Sequence, residues 1–67
     1  MSTALTPREN QILKLLVNGE RPRQIAKKLY LSVKTVEAHK YNLMRKLDLH
    51  SVVELVHYAI RIESWRG

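Results

Sequence analysis

Residues Ile25 to Leu47, IAKKLYLSVKTVEAHKYNLMRKL, leave this chain few ways to fold. They read as a short apolar helix, a tight break at Tyr30-Leu31-Ser32, and a longer helix with one apolar and one polar face. Ser32 is a good N-cap, because its hydroxyl accepts from a backbone N–H in the first turn of the next helix. In that helix Val36, Leu43 and Leu47 recur on one side. A rotation of about 100° per residue from Leu43 puts Lys34, Glu37, Ala38, Tyr41 and Arg45 on the opposite side. That strip holds long hydrogen-bonding groups and one small residue, on a helix presented by a shorter helix behind it. This is the geometry that enters a DNA major groove.

The rest of the chain supplies helices to pack behind this pair. Thr6-Pro7-x-Glu9 is a helix start: Thr6 caps, Pro7 takes the first helical position, and Glu9 bonds back to the Thr6 N–H. Ile12, Leu13, Leu15, Leu16 and Val17 form its apolar face, and Gly19 ends it, because a left-handed residue there is least strained as Gly. The first helix is expected at about 7–18, the second at about 22–29 from Pro22, and the third at about 33–47. Asp48-Leu49-His50 breaks the third, and Ser51-x-x-Glu54 is a second capping box, opening a fourth helix at about 52–62. The expected fold is all-α, one compact four-helix domain over the whole chain with a helix-turn-helix at about 22–41. Met1 to Ala4 read as a frayed leader, and Trp65 as a terminal packing residue.

Leu5-Thr6-x-Arg8-Glu9, Gly19, Ile25-Ala26, Ser32-x-x-Thr35-Val36-x-x-His39 and Lys46-Leu47, in this order and at these spacings, resemble the LuxR/FixJ-type (NarL-like) helix-turn-helix DNA-binding domain. The resemblance runs from Leu5 to about Ile60 and implies a bacterial transcription regulator, with base-reading residues at Glu37, Ala38 and Tyr41. It also implies backbone contacts from Thr35 and Lys46. Two residues depart from pattern. Arg21 stands where the family usually has Ser or Thr, so the second helix has a weaker cap, helped by Gln24 reaching back. Tyr30 stands in a turn that often holds Gly; a bulky residue is expected to keep an ordinary φ there, giving a somewhat different turn.

Charge agrees with a polyanionic partner. Twelve Lys and Arg oppose six Asp and Glu, a net +6 on 67 residues, with many of the basic residues between Arg21 and Lys46. From the outward strip and the resemblance together, Lys34, Glu37, Ala38 and Tyr41 are expected to face bases. Glu37 is tolerable in the groove if it accepts from a cytosine amine or if Lys34, Lys40 or Arg45 neutralises it. Ala38 admits close approach, and Tyr41 offers a hydroxyl and a flat ring. Thr35, Lys40, Asn42, Arg45 and Lys46 flank the strip as phosphate contacts that set register rather than sequence. Lys27 on the second helix and Arg21 at its start are further phosphate candidates, against the plain alternative of solvated basic side chains.

Other chemistries are poorly supported. There are no cysteines, hence no disulfides or thiolate metal sites, which fits a reducing, cytoplasmic setting. His39, His50 and His57 show no metal-ligand spacing, and His39 sits about 40° from Leu43 on the helical projection, as a semi-buried structural residue would. No nucleophile–base order or phosphate loop points to an enzyme, and no cofactor is expected. No apolar run approaches the roughly 20 residues that span a bilayer.

The fourth helix is apolar over more than one stripe. Val52, Leu55, Val56 and Ala59 fall together and are expected to pack on the first and third helices. Val53, His57 and Ile60 form a second stripe about 100° further round, left exposed on a lone domain and expected, as the resemblance also implies, to form a homodimer on DNA. The alternative is a protein-interaction module that binds another regulator through residues 52–62. In the family this module follows a receiver or sensor domain, so the chain reads either as the C-terminal fragment of a larger regulator or as a small free-standing one.

Overall fold

The computed structural model describes the backbone of residues 4–66 and the side chains of residues 4–61. Four helices follow in order: α1 (Pro7–Val17), α2 (Pro22–Leu29), α3 (Val33–Lys46) and α4 (Val52–Arg66). Each of the first three starts as its cap residues dictate. The Thr6 Oγ1 accepts from the Glu9 N–H at 3.1 Å, and the Glu9 carboxylate accepts from the Thr6 N–H at 2.9 Å, which closes a reciprocal box. At α2 the Arg21 N–H donates to Gln24 Oε1 at 2.8 Å, so the reach-back survives where the cap side chain itself has no acceptor. At α3 the Ser32 Oγ accepts from the Thr35 N–H at 3.0 Å. At α4 the Glu54 N–H donates to Ser51 Oγ at 3.2 Å, but Glu54 reaches the His50 N–H rather than that of Ser51.

The first three helices end alike. Gly19 (φ 87°), Tyr30 (φ 57°) and Asp48 (φ 56°) take the left-handed conformation, and the residue after each donates back into the last turn. Glu20 N–H reaches Leu15 O at 3.1 Å, Leu31 N–H reaches Ala26 O at 2.9 Å, and Leu49 N–H reaches Met44 O at 2.9 Å. This wrap caps carbonyls that would otherwise be unsatisfied. It also overturns the expectation for Tyr30. The bulky residue does not hold an ordinary φ; it adopts the backbone a glycine would, because the Leu31–Ala26 bond and the partial burial of Leu31 against the core both require the chain to turn there.

One core holds the four helices. Ile12 and Leu16 from α1, Ile25 and Ala26 from α2, Val36 and Leu43 from α3, and Leu55 from α4 are all buried together. α3 packs on α1 and α2, and α4 packs on α1. Small Ala26 stands among the buried residues of the α2–α3 pair, as a helix-turn-helix needs for close approach.

Several boundaries differ from the sequence expectation. α1 ends at Val17, with Asn18 as its cap, and α3 ends at Lys46, with Leu47 as its cap. α4 does not stop at residue 62 but continues to Arg66, since nothing in Ile62 to Trp65 is a Gly or Pro breaker. Val52 is not a packing residue: it is 47% exposed at the first position of α4, while Leu55 and Ala59 are buried and Val56 is half-buried. Residues 1–3 of the expected leader, and the packing expected of the Trp65 side chain, lie outside what is described.

Candidate nucleic-acid interface

The face of α3 opposite Val36 and Leu43 is open. Lys34, Glu37, Ala38 and Tyr41 are all exposed, as are Thr35, Asn42 and Arg45 around them, while Lys40 and Lys46 are half-buried. One helix therefore carries core on one side and an uncovered polar strip on the other, which is what the α3 periodicity demands.

Within the strip, charges are arranged rather than scattered. Lys40 Nζ lies 3.8 Å from Glu37 Oε1, so the one carboxylate on this face is answered by a cation one turn along its own helix. The Arg45 guanidinium sits 5.7 Å from the centre of the Tyr41 ring, within cation–π range. Ser32 Oγ donates to Thr35 Oγ1 at 2.9 Å, which fixes both hydroxyls at the N-terminal end of α3.

Outside the strip the basic residues divide. Lys28 is paired with Glu20, whereas the neighbouring Lys27 is exposed on α2, as is Arg21 before it. Lys46, half-buried, reaches inward to Glu9: its Nζ donates to Glu9 Oε1 at 2.7 Å, and Glu9 is only 4% exposed. The bond from Lys46, followed by that from the Thr6 N–H, holds the Glu9 carboxyl below the usual glutamate range. Sequence reading found half of this arrangement. It assigned Glu9 to the capping box, but the partner on α3 is far away in the chain and carries no local signal.

His39 is half-buried, as expected, and His50 and His57 are exposed. The described residues hold no cluster of three or more metal-ligating side chains. On α4, Val53 is 64% exposed and Ile60 54%, so Val53, His57 and Ile60 do lie on an uncovered stripe. Among the described residues, no helix is long and apolar enough to cross a membrane.

A four-helix core with α2 and α3 as a helix-turn-helix, and a basic uncovered face on the second of the pair, define a DNA-binding domain of the kind transcription regulators carry. The chain belongs to the luxR family of bacterial regulatory proteins, whose family model matches residues 3–59. It is 50% identical over 58 residues to the uncharacterized response regulatory protein YgeK of Escherichia coli strain K12, an alignment covering 87% of this chain and 40% of that one. It is 54% identical over 57 residues to the oxygen regulatory protein NreC of Staphylococcus haemolyticus, covering 85% and 26% respectively. Among solved structures, the response regulator StyR matches with a TM-score of 0.84 at 39% identity, over 88% of this chain and 30% of that one. The chain thus spans less than half the length of these relatives.

Proposed function

We propose that this chain binds double-stranded DNA sequence-specifically to regulate transcription, with α3 lying in the major groove and α4 joining two copies on paired half-sites. The observation that carries this reading is the strip of Lys34, Glu37, Ala38 and Tyr41, uncovered on a helix whose other face is core. Lys34 supplies donors, Tyr41 a hydroxyl and a ring, and Ala38 room for the groove floor. Glu37, its charge offset by Lys40, accepts from a base amine. Thr35, Lys40, Asn42, Arg45, Lys46, Lys27 and Arg21 engage phosphates around it and set the register of the helix. The domain works in the cytoplasm, without a cofactor. The names of its relatives support a longer parent chain in which an upstream receiver or sensor domain gates it.

The exposed Val53 and Ile60 on α4 also favour a second reading, in which that face binds another regulator rather than a copy of itself. Selection of bound sites from random duplexes separates the two. The DNA reading expects salt-dependent enrichment of two related half-sites about one helical turn apart. Recovery of unenriched duplexes at every salt concentration overturns it in favour of the protein-binding role.

A further inference from the structure

The Glu9–Lys46 pair does not need to be where it is for packing. Glu9 already has a local partner in the Thr6 N–H, and a lysine at the last position of α3 has solvent at hand. Yet the carboxylate is 4% exposed and reaches across to α3, and the Lys46 side chain remains 35% exposed beyond it. An ammonium has three donors, and one is spent on Glu9. The other two are not used by Glu9, and Lys46 lines a surface hollow of about 380 Å³ together with Glu9, Asn42 and Arg45.

We infer that Glu9 is a positioning residue: it holds Lys46 so that Lys46, Asn42 and Arg45 form a seat for a single DNA backbone phosphate at the C-terminal end of α3. This rests on the DNA-binding reading and deepens it. The charges match one phosphodiester, since two cations and one carboxylate leave a net +1 on the lining residues. The carbonyl end of α3 is the negative end of the helix, so a phosphate sits there only if cations are fixed in place. A free lysine would have to give up its rotamer freedom on binding; Lys46 has already been ordered in the fold. Arg45 also stands over Tyr41, so the seat adjoins a base-facing side chain and sets its height above the bases.

The sign of one substitution tests this. Glu9→Gln removes a negative charge, so if Glu9 matters only through overall charge, binding to DNA tightens. If Glu9 positions Lys46, binding weakens by about five- to tenfold on all duplexes alike, with the preferred sequence unchanged. In a Lys46→Gln background the Glu9→Gln effect then vanishes. A scan of single neutral methylphosphonate linkages through the selected site locates the seat. The wild-type chain loses affinity at one linkage per half-site, and both variants become insensitive to that same linkage. Should Glu9→Gln fail to fold, Asn42→Ala and Arg45→Gln, which leave the ion pair intact, must each blunt the response at that linkage. Tighter binding by Glu9→Gln, an effect that persists without Lys46, or Asn42 and Arg45 responding to different linkages overturns the seat while leaving DNA binding in place. A wild-type chain that binds no duplex overturns both readings.

Discussion

Glu37 and Lys40 are partners on α3, with 3.8 Å between carboxylate and ammonium. A helix-surface pair at this i,i+3 spacing contributes only about 0.2–0.5 kcal/mol to stability. Its weight lies in what the carboxylate would otherwise do near phosphates. Lys40→Met should leave the thermal midpoint within a few degrees of wild type and weaken binding to every duplex, with the preferred bases unchanged. A shift in preferred sequence on replacing Lys40 would mean that Lys40, not Glu37, reads a base.

Glu37→Ala and Tyr41→Ala should each alter base preference at one or two positions. Loss of a good contact removes about 1–3 kcal/mol of discrimination. The selected site should broaden at those positions and stay sharp elsewhere. An unchanged site in both variants would place the reading surface on another face.

Tyr30 is 95% exposed and left-handed, so the free domain carries a backbone cost with no packing in return. The left-handed conformation costs a residue with a side chain about 1–2 kcal/mol, and glycine gives back roughly 0.5–1 through its greater freedom when unfolded. Tyr30→Gly should therefore raise stability by up to about 1 kcal/mol, read as a melting midpoint a few degrees higher. A lower midpoint would show that the ring makes a stabilising contact after all.

Glu9 titrates below the usual glutamate range, and a depressed carboxyl stabilises the fold only while it is charged. Its contribution is complete above its unfolded value of about 4.3 and is lost as pH falls through the lower folded value. Stability should thus decline as pH drops from about 5. Glu9→Gln should start lower and show a flatter acid limb in denaturation curves taken across that range. Parallel acid limbs for the two proteins would remove Glu9 as the titrating group.

Val53→Asp and Ile60→Asp should spare the fold, because both side chains face out. If α4 joins two copies as proposed, each should reduce binding to a paired site far more than to a single half-site, since the second copy would be recruited through effective concentration. Equal losses on both probes would assign α4 a role other than joining two copies.

Much of this was written locally in the chain. Thr6, Ser32 and Pro22 mark helix starts because capping is a matter of a few neighbouring atoms, and each cap or reach-back is present. The polar strip of α3 was legible because helical rotation alone separates Lys34, Glu37, Ala38 and Tyr41 from Val36 and Leu43. Tyr30 was misread because its own steric preference is overruled by the Leu31–Ala26 bond and the burial of Leu31. Val52 was misread because periodicity assigns a face without saying how far along α4 the neighbouring helix reaches. The Glu9–Lys46 bond spans 37 positions, and no pattern within a helix announces it.

Because Val36 and Leu43 are buried on the core side of α3, opposite its outer strip, the readout proposed for that strip is heritable separately from stability. Lys34, Glu37, Ala38 and Tyr41 can be exchanged as a set while the scaffold beneath keeps its packing. On that proposal, duplicated copies of such a gene would diverge to new operators by drift at a few surface codons. On the proposed reading, an engineer would retarget the domain by the same route, with library diversity confined to those four positions.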